Sequence, residues 1–165
     1  MKLEKILSGR TCSNGNAEGY ANVIQNPFDK NNNFMEGEIL VVKQTNPNYT
    51  PLMYLSSGII GEVNSLLCHL AIVSREAKIP CIISVRNATQ IIKTGDYIIM
   101  DATKGEIKLE RELVYKLGDT PCKSVERFGS KIANLSELIS KKFPVPKGYV
   151  IDSSIKELFE KKHCL

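Results

Sequence analysis

Short apolar runs broken by turn residues dominate the first two-thirds of the chain. "GYANVI" (19–24) and "GEILVVKQ" (37–44) have strand character and are separated by "QNPFDKNNNFME", a loop rich in Asn. "GIIGEV" (58–63) and "CIISV" (81–85) are short, apolar and β-branched, as buried strands are. "YIIMDA" (97–102) and "GEIKLE" (105–110) follow "KTGD" and "TKG" turns, a pattern that predicts a hairpin. Strands are thus expected to outnumber helices.

Between residues 64 and 80 the period changes. Leu66, Leu70, Val73 and Ala77 recur at helical spacing as one apolar stripe. Asn64 or Ser65 is the expected N-cap, Lys78 in the last turn complements the helix dipole, and Pro80 forbids continuation. From residue 113 the periodicity is lost, and 113–127 reads as a linker. Two further helical patterns (130–142 and 152–163) flank "FPVPKGYVI"; Asp152 or Ser153 is the candidate cap of the second, and Ser154 with Glu157 has capping-box spacing. The expected organisation is a main unit over 1–112, a linker over 113–127 and a small helical appendage over 128–165. That appendage has too few elements for a core of its own, so it either docks on the main unit or belongs to a larger domain.

Composition narrows the classes. A chain of 165 residues suits one domain with a real core plus an appendage. The net charge is +4, with basic and acidic residues interleaved and no block of like charge, which predicts neither a nucleic-acid nor a membrane partner. No apolar run approaches the roughly 18 residues of a membrane span, and the opening "MKLEKILSGRT" predicts no signal peptide. Cys12, Cys68, Cys81, Cys122 and Cys164 are scattered without a CxxC pair, which points to free thiols in a reducing, cytoplasmic setting rather than zinc or disulfides.

Candidate chemistry centres on His69, one of two histidines, in the first or second turn of the expected helix. A helix N-terminus offers unpaired N–H groups and about half a positive charge. Such a site binds phosphate and favours the neutral, nucleophilic imidazole over imidazolium. A phosphohistidine formed there would find donors in place. On the residues alone, packed core, metal ligand and nucleophile all remain open. The other histidine, His163, lies in a basic C-terminal segment and reads as solvated surface.

Residues 58–109, "GIIGEVNSLLCHLAIVSREAKIPCIISVRNATQIIKTGDYIIMDATKGEIKL", resemble the phosphohistidine swivelling (mobile) domain of phosphoenolpyruvate (PEP)-utilising enzymes. The matching positions are Glu62, Cys68-His69, Ala71-Ile72-Val73, Arg75-Glu76, Ile79-Pro80, Gly95-Asp96, Asp101 and Gly105. Upstream, "GRTCSNGNAEGYANVI" and "GEILVVKQTNPNYTPLM" are similar to the family's S-P-G-x-A-x-G-x-A and G-D-I-L-V-x-x-x-T-x-P-x-x-x-P segments, so the resemblance spans about 8–110. It implies an α/β fold of three layers, β/β/α, with a small helical C-terminal appendage. It also implies phosphorylation of His69 on Nε2, supported by Glu62, Asn64, Ser65, Cys68 and Arg75. Arg75 and Glu76 would orient the helix; a surface ion pair is the other reading of Arg75.

The family's Gly-Gly is replaced by Val63-Asn64-Ser65, its Ser/Thr before the histidine by Cys68, an alanine by Leu70, and the glycine after "IPCII" by Ser84. "GSKIANLSELISKKFPVPKGYVIDSSIKELFE" (129–160) resembles the opening of the same enzymes' ATP-grasp nucleotide domain, with Lys131 at a phosphate-contacting lysine or, alternatively, a surface lysine. The resemblance therefore implies a phosphoryl carrier that binds no cofactor by itself. It would work with an ATP-grasp domain, ATP, Mg and an acceptor-substrate domain or subunit. A catalytically silent docking or regulatory module is the rival expectation, and a small-molecule-binding domain of related architecture is a third.

Overall fold

The computed structural model describes residues 2–29, 33–119, 122, 128–152 and 155. Two compact units emerge, Glu4–Glu110 and a second made of Met1–Leu3 with Arg111–Leu165.

In the first unit, the sequence's apolar runs become strands of one mixed sheet. The strands are β1 (Lys2–Ser8), β2 (Arg10–Ser13), β3 (Asn16–Ile24), β4 (Ile39–Val42), β5 (Gly58–Gly61), β6 (Cys81–Ile83), β7 (Tyr97–Asp101) and β8 (Glu106–Glu112). Their order is β1-β8-β7-β3-β4-β5-β6-β2. β3 is the junction, antiparallel to β7 (Gly19 opposite Ile98) and parallel to β4 (Val23 opposite Val41). β4, β5 and β6 continue in parallel. Parallel strands covered on both faces need apolar residues at every position, and Ile39, Leu40, Val41 and Val42 are all fully buried. Each such side chain contributes roughly 1.5–3 kcal/mol.

Parallel neighbours need crossovers, and helices provide them. α1 (Thr50–Leu55) links β4 to β5, and α2 (His69–Glu76) links β5 to β6. α3 (Ala88–Ile91) follows β6. The core under α1 and α2 gathers Ile24, Leu40, Val42, Met53, Ile59, Leu70, Val73 and Ile83.

Turns fix the register. Asp101 Oδ1 accepts the amides of Thr103 (3.0 Å) and Lys104 (3.1 Å) in the β7–β8 turn. Gly105, at φ +74°, lies so close to Gly9 that a Cβ there would sit 2.4 Å from the Gly9 carbonyl oxygen. Only glycine fits this approach. The expected hairpin is therefore present, while β1, β2, α1 and α3 have no counterpart among the expected elements.

In the second unit, β9 (Val114–Lys116) pairs antiparallel with β10 (Tyr149–Ile151), and α4 spans Ser130–Ser140. Tyr115, Cys122 and Val150 form a small core with Leu117, Phe128 and Ile132, and the Tyr115 and Phe128 rings meet edge to face at 5.3 Å. Residues 114–116, expected to begin a linker, are thus a strand; three residues are too few for a readable period. The rest of the expected linker up to residue 127, Cys122 apart, lies largely outside the described residues. So do His163, Cys164, Ser153 and nearly all of the helix expected over 152–163.

Candidate functional site

α2 begins later than its stripe suggests. Cys68 is the N-cap, in extended geometry, and His69 is the first helical residue. Ser65 Oγ accepts the Leu67 amide (3.2 Å) and the Ser65 carbonyl accepts the Cys68 amide (3.3 Å). Short polar side chains that hydrogen-bond locally compete with the helix in this way, so 64–68 is a turn and neither Asn64 nor Ser65 is the cap. Leu66 consequently falls outside the helix, while Leu70, Ala71, Val73 and Ser74 face the core.

The cap comes from elsewhere in the chain. Cys68 makes no side-chain cap bond and packs against the core cluster. Thr45 Oγ1 instead accepts the Leu70 amide at 3.1 Å. The Cys68 carbonyl accepts Ala71 and Ile72, at 3.0 and 3.1 Å. The His69 amide has no hydrogen-bond partner among the described residues, so a donor remains at the positive end of α2.

At the other end, the Ile79 amide reaches the Ser74 carbonyl (2.9 Å) and the Lys78 amide that of Arg75 (3.3 Å). This is a Schellman closure with Lys78 left-handed at φ +55°. Lys78 therefore lies one residue past the C-cap rather than in the last turn.

A second threonine holds the imidazole. Thr50 Oγ1 is 2.9 Å from His69 Nε2 and donates to the Pro47 carbonyl at 2.6 Å. A hydroxyl has one proton and a carbonyl can only accept. With that proton committed to Pro47, Nε2 is the donor toward Thr50, so any lone pair on the half-buried ring is on Nδ1. Both threonines ride on one anchored segment: the buried Tyr49 hydroxyl reaches the Ile24 and Gln25 carbonyls, each at 3.3 Å. Burial pushes the Tyr49 phenol upward from its ordinary pKa.

The remaining sequence candidates separate. Arg75 is exposed and donates to the Leu66 carbonyl, tying the turn before His69 back onto α2. Glu62 is engaged elsewhere: its Oε1 accepts the Thr89 amide (2.8 Å) and hydroxyl (2.7 Å), capping α3. Asn64 and Ser65 are exposed on the preceding turn. Lys131 belongs to the second compact unit, exposed in the first turn of α4. Ser84 takes the left-handed conformation at φ +59°, which is the demand behind a glycine at that position. Sequence reasoning does not single out Thr45 or Thr50, although their segment, "TNPNYTP", follows the pattern T-x-P-x-x-x-P. Among the described residues no group of three or more His, Cys, Asp or Glu side chains is placed to hold a metal, and no helix is long and apolar enough to cross a membrane.

The chain is 40% identical over 103 residues to a probable phosphoenolpyruvate synthase of Staphylothermus marinus, covering 62% of this chain and 12% of that protein. It is also 40% identical over 105 residues to rifampicin phosphotransferase of Bacillus cereus, covering 64% of this chain and 12% of the relative. The chain thus spans about one-eighth of the length of these relatives. Among solved structures, aconitase X of Thermococcus kodakaraensis matches with a TM-score of 0.50 at 21% identity, over 64% of this chain and 98% of that one, a likeness of fold alone. The model of the family described as PEP-utilising enzyme, mobile domain, matches residues 34–105, the stretch that holds Thr45, Thr50 and His69. Residues 34–105 are therefore a mobile domain of the PEP-utilising enzyme family.

Proposed function

We propose that the Glu4–Glu110 unit is a phosphoryl carrier in which His69 is transiently phosphorylated on Nε2. One observation carries this reading: the imidazole stands at the first position of α2, beside the helix's positive end and a backbone donor that has no partner among the described residues. Those are the groups that stabilise a transferring phosphoryl charge.

In the forward step the Nε2–H proton leaves to solvent while Nδ1 takes one up. The freed Nε2 lone pair attacks the phosphorus of a phosphoanhydride or enol phosphate. The N–P bond forms as the P–O bond breaks, and the leaving oxygen keeps the electron pair. Transfer to the acceptor reverses the sequence. ATP or phosphoenolpyruvate supplies the phosphoryl group. ATP and Mg belong to an ATP-grasp domain for which the Lys131 segment is a fragmentary counterpart, and the acceptor belongs to a further domain or subunit.

A silent docking or regulatory module is the second reading. It is favoured by Val63-Asn64-Ser65 in place of the family's glycines and by the engagement of Nε2 with Thr50.

The test is intact-mass analysis after incubation with a related synthase that lacks its own histidine, using ATP labelled separately at β and γ. An acid-labile, base-stable adduct of one phosphoryl mass, absent from His69→Ala, supports the carrier. A folded protein that takes no label from a working donor supports the silent module.

A further inference from the structure

Two thiols stand apart from the proposed carrier chemistry. β2 runs antiparallel to β6 with Thr11 opposite Ile82 and Ser13 opposite Cys81, so the register shifts by one residue at Cys12. Such a bulge sets two residues, Cys12 and Ser13, against Cys81 and releases the extra one from the ladder. The registered pair is Ser13 and Cys81, with Cys12 the adjoining bulge residue; facing residues across antiparallel strands lie about 4.5–5.5 Å apart at Cα, and a disulfide spans ~4.4–6.8 Å. Both side chains belong to the same core cluster, Cys81 fully buried and Cys12 8% exposed. The bulge therefore brings two buried thiols from neighbouring strands into one packed cluster. Neither forms a disulfide in the structure.

We infer that Cys12 and Cys81 are an oxidisable dithiol, a modification site at which hydrogen peroxide converts the pair to a disulfide with Cys12 as the attacking sulfur. In the first step the Cys12 thiolate attacks the peroxide oxygen, the O–O bond breaks, and Cys12 sulfenic acid and hydroxide result. In the second the Cys81 sulfur attacks the sulfenic sulfur, the S–O bond breaks, and the Cys81 proton leaves with the hydroxyl as water. Two thiols are oxidised by two electrons and one peroxide is reduced.

The order of attack follows from the surroundings. The Cys81 hydrogen bond is the largest influence on Cys12 and holds its thiol below the ordinary range; burial opposes this, and the Arg75 and Arg10 charges add to it. The same contact, with burial, pushes Cys81 well up, leaving it the protonated partner. Reactivity follows thiolate character and access, and Cys12 has more of both. The disulfide would tie β2 to β6, the two strands against which α2 packs.

Peptide mapping under non-reducing conditions tests this without relying on any variant. Trypsin cuts after Arg10, Lys30, Lys43, Arg75, Lys78 and Arg86, which places Cys12, Cys68 and Cys81 in separate peptides. Peroxide treatment of the folded protein should yield the 11–30 peptide joined to the 79–86 peptide, two hydrogens lighter than their sum and separated again by dithiothreitol. In Cys81→Ser the reaction should stop at Cys12, trapped as one dimedone adduct per chain; in Cys12→Ser, Cys81 should remain unmodified. A crosslink involving Cys68, or dimedone on Cys68 with Cys12 untouched, would overturn the assignment, as would absence of any crosslink while free peroxide persists.

Discussion

Replacing Thr50 with Val removes the hydroxyl from His69 Nε2 while nearly preserving side-chain volume. In the wild type the 2.6 Å bond from Thr50 to the Pro47 carbonyl uses the only hydroxyl proton, so the 2.9 Å contact to Nε2 favours the Nε2–H tautomer. A neutral hydrogen bond of this kind is worth about 1 kcal/mol net. Since RT is about 0.59 kcal/mol, its loss should move the ratio of Nδ1–H to Nε2–H rings about fivefold toward Nδ1–H. That tautomer carries the lone pair on Nε2, the atom proposed to attack phosphorus. Long-range proton–nitrogen NMR of the labelled imidazole reads the ratio directly on the alkaline plateau of the ring shifts. Thr50→Ser should restore the wild-type value, whereas a packing effect would not be rescued in this way. Phosphoryl uptake by Thr50→Val should rise in proportion. An Nδ1–H majority in the wild type, or the same ratio in wild type and Thr50→Val, would refute the reasoning.

Three further outcomes are expected. Glu62→Ala removes two charge-assisted bonds to Thr89 and should cost about 2 kcal/mol, lowering Tm by roughly 10 °C, with His69 still labelled; lost labelling at unchanged Tm would place Glu62 in the chemistry instead. Lys78→Gly relieves a left-handed lysine worth about 1–2 kcal/mol and returns part of that as backbone entropy. A net gain of about 0.5 kcal/mol or more should appear as a higher urea midpoint at constant m, and a lower midpoint would show that the Lys78 side chain stabilises the closure. The Asp101 carboxyl is held below its ordinary range, first by the Lys104 ammonium and then by the Lys104 amide. A depressed folded pKa means stabilisation that is complete above the unfolded value and lost as pH falls through the folded one. The Thr103 and Lys104 amide shifts should therefore titrate with a midpoint below about 3.9; a midpoint at or above it would contradict the turn geometry.

The strands that carry the core were legible because burial on both faces demands continuous apolar residues, as in "ILVV" and "CII". Pro80 and the stripe through Leu70 and Val73 located α2 for the same kind of reason, since helical spacing and chain termination are local properties. His69 stood out by residue type and by its place near a helix start, and the family pattern raised it from one of three readings to the candidate. The ends of α2 were decided by tertiary structure. A remote cap from Thr45 and a local turn at Ser65 outcompeted the expected cap, because hydrogen-bond donors at a helix start accept any partner the fold brings near. Glu62 changed role for a similar reason: its partner, Thr89, lies 27 residues away, beyond any spacing rule. Short β9 and the bulge at Cys12 were likewise invisible, because each exists only through its pairing with another strand. The sequence by itself therefore determined which segments could be buried and which residue is the candidate for the proposed chemistry. Only the tertiary structure decided what touches that residue, because contacts between distant segments are set by packing and not by local period.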